Sequence, residues 1–449
     1  MIEPPQIEKS MGMELYSTSF TGFGGHLKQR YEDFIVEEIL SKDKILQADI
    51  GLEEPFIHED PLISGESRKS RFIHLTMQKM GMTTMDAAEL ISSSLRISRH
   101  LVSYAGLKDK RALTVQRISI PKSSFDALKE LPLRRVWIRD PEYSRKQIQI
   151  GDLWGNRFTL LVRDLDIPCE QARELSKELR TDPILNYFGI QRFGVSRPFT
   201  HLIGKALTKQ DYEEAARYIL TKTTPDDSAD IKELRESMRD GKFTEALLEK
   251  FPNDLRYERL MIKSLLNQPG DYKRAFFRIP PKMQKLFVHS YQSFLFNRII
   301  SLRAKEGLHL SEPEVGDFIV KLGKTNTHRD DWLFVSEKNH EEYCNLVQAG
   351  EFGLVATIPG YASKMPNTRQ SEHVRRILKE ENTTLDSFRF SESKEIDSPG
   401  GFHSVSIALS DLETKCVEGN LQIKFSLRKG SYATVVLREL MKSSPFDRL

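Results

Sequence analysis

Residues 104–116, YAGLKDKRALTVQ, set one carboxylate, Asp109, between Lys108 and Lys110, with Arg111 next. Nearby opposite charge favours the ionised form of such a group. That suits a nucleophile or an electrostatic stabiliser better than a general acid. The blander alternative is a solvated turn whose charges face water, since structural ion pairs far outnumber catalytic ones. A second candidate lies at residues 186–198, NYFGIQRFGVSRP, where two glycines, two arginines and three aromatics crowd one segment. That is poor core composition and good loop-site composition. Asn186 has the paired donor and acceptor needed to read a base edge, and Phe188 a ring on which to stack it. The alternative there is a glycine-kinked buried strand with Arg192 in a salt bridge.

The elements that must hold these groups follow from periodicity. Leu113, Val115, Ile118 and Ile120 are spaced as the buried face of a strand leaving the Asp109 loop, with Arg117 interrupting strict alternation. Before the loop, Thr83 followed by Asp86 predicts a capped helix carrying Ala87, Ala88, Leu90, Ile91 and Leu95 on one stripe. Phe34, Val36 and Ile39 predict a short strand. Residues 40–70, broken by Pro55, Pro61 and Gly65, read as a surface loop. Arg134, Arg135, Arg139, Arg145 and Lys146 interleave with Trp137 and Tyr143. This is either an RNA groove, with charge for phosphates and rings for bases, or an amphipathic surface that buries Val136 and Ile138. Residues 158–162 read as a continuous apolar strand and 170–180 as a helix.

Past about residue 205 the texture becomes helical. One long helix carries Phe287, Tyr291, Phe294, Leu295, Ile299 and Leu302 as a core stripe. Short strands follow within 313–360. The C-terminal part returns to strand texture, with Ile423, Phe425 and Leu427 opposite Lys424 and Ser426. Gly430 breaks that strand, and Ser431 is a candidate cap for a last helix bearing Val436, Leu437 and Leu440.

With 449 residues the chain exceeds one ordinary core, so two or three domains are expected. A hydrophobic content of 39% with 29% charged residues reads as soluble and globular. No stretch approaches the roughly 18 apolar residues of a membrane helix, and the N-terminus lacks the plan of a signal peptide. Cys169, Cys344 and Cys416 lie far apart without a CxxC pair. Neither a disulfide framework nor a zinc site is expected, which points to a reducing, cytoplasmic compartment. The net charge of +3 neither supports nor excludes a nucleic-acid partner.

The 104–116 segment resembles the signature of the TruD family of pseudouridine synthases, whose AG-x-KD-[KR] loop carries the nucleophile, Asp109 here. Further segments resemble the same family in its order. Lys28 stands six residues before the Phe34 of an EDF-x-V motif, and residues 151–158 resemble G-x(3)-GN-x-F. Residues 186–194 resemble NYFG-x-QRFG, residues 291–297 match YQSFLFN, and residues 425–439 resemble the closing LP-x-G-S-[FY]-A-T motif that ends in RE. Two departures stand out. Tyr432 occupies a position where some members have Phe, and Arg428 one where Pro is common.

The resemblance implies an α+β fold of archaeal type. A discontinuous catalytic domain with a mixed or antiparallel sheet comes from residues 1–204 and 401–449, and a mostly helical α+β TRUD domain is inserted at 205–400. RNA is expected in the cleft between them. It implies conversion of a tRNA uridine, position 13 in the D-arm, to pseudouridine by a monomer. Lys28, Phe34, Asn186, Phe188 and Tyr432 would bind the flipped nucleotide, with Lys28 holding phosphate or tempering the carboxylate. Lys108, Lys110, Arg111 and Arg192 would contact RNA, the first three holding phosphate or tempering the Asp109 carboxylate. The reaction is an isomerisation without redox change, so neither cofactor nor metal is expected. Three alternatives remain: a pseudouridine synthase acting on a different RNA site, a non-catalytic RNA-binding or chaperone protein, which has no need of Asp109, and a glycosidase-like hydrolase, which needs a second, protonated carboxylate.

Overall fold

The strand Phe34–Ser41 pairs in parallel with Leu113–Pro121, Val36 opposite Thr114, in a sheet whose other pairings are antiparallel. This is a computed structural model that describes residues 2–41, 44–50, 69–128, 133–180, 183–224, 227–322 and 332–448. Much of the expected 40–70 loop, residues 51–68, lies outside the described residues. Across the sheet the strands run Ser410–Val417, Asn420–Arg428, Gly155–Val162, Phe34–Ser41, Leu113–Pro121, Phe72–Met80 and Val136–Ser144. Both ends of the chain therefore supply neighbouring strands. Asn420–Arg428 is held against Gly155–Val162 over eight residue pairs. A Cβ at Gly155 would lie 2.0 Å from the Leu427 carbonyl oxygen, so only glycine permits this approach.

The strand Leu113–Pro121 is central, and burial departs from simple alternation there. Leu113, Val115, Ile118 and Ile120 are all buried, but the strand runs without a bulge, so Leu113 and Val115 share one face with buried Ser119, and Ile118 and Ile120 share the other with buried Thr114 and Gln116. A strand covered on both faces hides its polar residues and must give them partners. Gly155–Val162 shows the opposite departure. Instead of a continuous apolar strand it alternates, with Phe158, Leu160 and Val162 buried and Thr159 and Leu161 only partly so. The helix Thr84–Ser94 begins as its sequence predicts: Thr83 Oγ1 accepts from Asp86 N–H, and Asp86 accepts in return from Thr83 N–H.

The last helix, Ala433–Met441, starts at Tyr432 without a side-chain cap, so Ser431 does not take the capping role expected of it. Glu439 on this helix is fully buried. It accepts from Ser17 and Thr18 N–H and pairs with Arg438, which ties the two ends of the unit together.

The fold is α+β, and contacts divide it into two units. The first, the sheet unit, comprises Ser17–Ile184 and Ile407–Leu449 together with a short segment outside the described residues. The second comprises Met1–Tyr16, Leu185–Leu322 and Arg329–Ser406. These boundaries differ from the 1–204, 205–400 and 401–449 division expected from texture. Asn297, on the helix Pro281–Lys305, accounts for the difference: its amide donates to Met11 O and Phe188 O, drawing residues 2–16 and the 186–194 loop into the helical unit. That helix buries Ser290, Gln292, Ser293, Asn297 and Ser301 as well as its core stripe, in which Phe294 alone is half-buried. Its core contacts therefore extend around most of its circumference. The second unit also holds an antiparallel sheet in the order Trp332–Phe334, Phe318–Lys321, Phe352–Ile358, Gly401–Ser404.

The cysteines correct the sequence reading. Cys169 and Cys416 are joined by a disulfide with their Cα atoms 6.0 Å apart. They are 247 residues apart in sequence, and meet because the helix Cys169–Ser176 packs against the edge strand Ser410–Val417. Spacing alone cannot show such a pair. Cys344 remains a free thiol.

Candidate active site

Parallel pairing of Phe34–Ser41 with Leu113–Pro121 brings the segments before both strands to the same end of the sheet. Lys28 and Asp109 lie in those segments. Lys28 Nζ stands 3.3 Å from Asp109 Oδ1, although 81 residues separate them in the chain. The lysine side chain is 5% exposed, the aspartate 41%. Lys28 also takes a left-handed backbone (φ 57°), sparsely used by side chains larger than Asn. Its ammonium sits 4.1 Å from the Phe34 ring centroid. The charge that meets Asp109 is thus fixed from behind by an aromatic face.

The loop backbone is held from four sides. Lys79, fully buried on the antiparallel strand Phe72–Met80, donates from Nζ to Asp109 O (2.9 Å) and Met82 O (2.8 Å). Lys108 N–H donates to Thr84 Oγ1, which donates to Gln116 Oε1, and Gln116 Nε2 donates to Gly106 O. Lys108 Nζ itself binds Glu38 at 2.7 Å, both side chains being almost completely buried, and Glu38 also accepts from Arg117 N–H. Burial depresses the Lys79 ammonium to about 8, partly countered by the Asp109 charge.

Two of the expected site residues are buried here. Lys108 was assigned to RNA, but its ammonium is 3% exposed and consumed by Glu38, so it supports the loop instead. Phe34, expected at the nucleotide, is 1% exposed, packs edge-on against Phe158 at 6.2 Å and lies under the Lys28 ammonium. Lys110 and Arg111 are exposed, as an RNA contact requires. Tyr432 is half-buried at the start of its helix, and Arg428 lies over the Trp154 ring at 5.1 Å.

In the helical unit, the 186–194 loop forms a second cluster with the opposite character. It is a loop and not a kinked strand: the strand Ile184–Leu185 ends before it, and a 3-10 turn spans Ile190–Arg192. Asn297 Oδ1 accepts from Phe188 N–H at 2.8 Å, and Asn297 Nδ2 donates to Phe188 O at 3.0 Å, so one amide grips both backbone groups of Phe188. Arg192 donates to Ser293 Oγ and places its guanidinium 5.6 Å from the Phe188 ring centroid. The YQSFLFN segment is therefore the scaffold of the NYFG loop. Asn186 is 1% exposed; its Nδ2 donates to His403 Nε2 at 3.1 Å, and its Oδ1 is buried without a hydrogen-bond partner among the described residues.

In the basic run, Val136, Trp137 and Ile138 are all buried on the strand Val136–Ser144. Trp137 is therefore no stacking platform, while Arg134, Arg135, Arg145 and Lys146 remain exposed.

Lys79, Glu38, Asn297 and His403 were missed in the sequence. Lys79 left a readable signal, a lysine near the end of an apolar strand run. The others are ordinary polar residues until the chain folds.

A family model described as tRNA pseudouridine synthase D (TruD) matches residues 10–440. The chain is 33% identical to the probable tRNA pseudouridine synthase D of Methanococcoides burtonii, covering 98% of each. It is also 33% identical to that of Methanosarcina mazei, covering 99% of this chain and 100% of the relative. A crystal structure of the putative Methanosarcina mazei tRNA pseudouridine synthase D superposes with a TM-score of 0.83 at 31% identity, covering 99% of this chain and 100% of that one.

Proposed function

Because the chain belongs to the TruD family of tRNA pseudouridine synthases, we propose that it isomerises uridine 13 of the tRNA D-arm, with Asp109 as nucleophile and the base flipped out of its stack. The carrying observation is the Lys28–Asp109 pair, a half-open carboxylate held against a buried ammonium at the end of the sheet. The reaction breaks the bond from ribose C1′ to uracil N1 and joins C1′ to C5. C5 gives up its proton and N1 gains one, so the product is an isomer of the substrate. Asp109 acts on the sugar–base system or takes a ribose proton, and either role begins from the carboxylate that Lys28 faces.

Recognition falls to the second cluster. Asn186 reads the uracil edge, and Phe188 supplies an aromatic surface that compensates for lost stacking. Tyr432 is a further ring for stacking on the base, with a hydroxyl that would add a hydrogen-bonding group. Lys110, Arg111 and Arg192 meet phosphate. The sheet unit is the catalytic domain and the helical unit the inserted TRUD domain of a monomer. The protein works in the cytoplasm, where its substrate is. Among the described residues no helix is long and apolar enough to cross a membrane.

The test is pseudouridine mapping on unmodified tRNA transcripts with uridine or cytidine at position 13. Product at position 13 only in the uridine transcript is expected. Free uracil in place of pseudouridine would favour the hydrolase reading, and binding without any product the non-catalytic one.

A further inference from the structure

We propose that His403 is a positioning residue that sets the hydrogen-bonding face of Asn186, and through it the preference for uracil over cytosine. The inference rests on Asn186 reading the base, as proposed above. His403 lies on the strand Gly401–Ser404, paired with Ala356 of the neighbouring strand. Its ring stacks on Phe188 with centroids 4.4 Å apart and planes at 18°, and meets the Phe296 ring at 74°. The imidazole is thus clamped in orientation by two aromatic neighbours. Its Nε2 receives the Asn186 Nδ2–H, so this nitrogen carries a lone pair and the ring is neutral. Burial, with the nearby Arg192 charge, lowers His403 to about 4, which agrees with a neutral ring at physiological pH.

The consequence is stereochemical. An amide whose nitrogen is committed to His403 presents its oxygen elsewhere, and Asn186 Oδ1 is the buried acceptor left without a partner among the described residues. One further N–H of the same amide remains to donate. An acceptor beside a donor complements uracil, whose N3–H lies next to a carbonyl. It mismatches cytosine, whose N3 is an acceptor beside an amino group. Accepting cytosine would require the amide to turn over and press Oδ1 against the Nε2 lone pair, or the imidazole to move its proton to Nε2. A buried polar group left facing its own kind is penalised strongly.

The experiment uses the full-length protein and the tRNA in which it forms pseudouridine, with cytidine at the target position as a competitive inhibitor. The readout is Ki for the cytidine tRNA over KM for the uridine tRNA. A base-edge mismatch is worth about tenfold to a hundredfold, so wild type should give a ratio of at least about ten. His403→Phe keeps a ring on Phe188 but removes the acceptor, and the ratio should fall to within about threefold of one, chiefly through Ki. His403→Gln, which can present an amide oxygen to Asn186, should restore most of it. If His403→Phe does not fold, His403→Leu is read the same way. A wild-type ratio retained in the phenylalanine or leucine variant overturns the inference while leaving the Asn186 reading intact. A wild-type ratio near one, or one unchanged by Asn186→Ala, overturns the Asn186 reading itself and the inference with it.

Discussion

Asp109 keeps 41% of its side chain open to solvent, while Asn186 is 1% exposed, and their immediate partners differ in kind. Around Asp109 the structure collects ions: Lys28 on the carboxylate, Lys79 on the backbone carbonyl, and the buried Lys108–Glu38 pair behind the loop. Around Asn186 the direct partners are neutral, an imidazole, two phenylalanines and the amide of Asn297, with the Arg192 guanidinium beyond the Phe188 ring. The contrast fits the roles proposed for the two residues. A reacting carboxylate works beside fixed counter-charge that need not reorganise. A base edge is read by the direction of hydrogen bonds, and that direction is fixed where neutral, packed partners orient the reading group.

The largest predicted effect tests the ionic half. Glu38→Ala leaves the Lys108 ammonium buried without its acid and should destabilise the fold by about 3–5 kcal/mol. Urea unfolding would report this, and a loss under about 1 kcal/mol would show that the pair does not anchor the loop. Next comes the disulfide, in the same unit but on the outermost strand of the sheet. Reducing Cys169–Cys416 should cost about 2–4 kcal/mol of stability and leave turnover within about twofold, because the bond touches neither cluster. A large loss of activity would mean that the sheet edge governs the Asp109 loop. In the neutral half, Asn297→Ala strips partners from Phe188 N–H and C=O and should cost about 1–3 kcal/mol. It should raise KM for tRNA more than it lowers kcat; the reverse would place Phe188 in the chemical step.

The subtlest distinction is in pH. His201, His289 and His403, all in the helical unit, are lowered to about 4 by burial. Between about pH 4 and 6.5 the unfolded chain binds protons that these rings refuse in the fold. Their contribution to stability is therefore present above 6.5 and lost as pH falls toward 4. His74 in the sheet unit shifts in the same direction. Lys79 acts at the other end of the scale. Its ammonium, ordinarily near 10.5, is lowered to about 8, so its part of the stability rises with pH across that window. Lys79→Met should flatten the alkaline rise, and a thermal unfolding series from pH 4 to 10.5 would separate the two behaviours.

Local chemistry was legible in the sequence, and distant chemistry was legible only through resemblance. The capping box at Thr83 and Asp86, the strand through Leu113 and the aromatic stripe of the long helix depend on residues within a few positions of each other. The Lys28–Asp109 contact depends on a parallel strand pair, which spacing does not reveal. Lys108 was misread for a related reason. Neighbours in sequence point in different directions at a loop, so two adjacent lysines can have opposite fates: Lys110 goes to solvent, whereas Lys108 turns inward to Glu38, 70 residues away. The disulfide and the Asn186–His403 bond, whose partners lie 247 and 217 residues apart, were invisible for the same reason.

The central claim is that the ionic cluster performs the chemistry and the neutral cluster does not. The direct measurement compares wild type with Asp109→Asn on an unmodified tRNA bearing uridine 13, reading pseudouridine formation and tRNA affinity in parallel. The account predicts a loss of turnover of at least ~10³-fold with affinity unchanged within about threefold. Turnover within tenfold of wild type would contradict it.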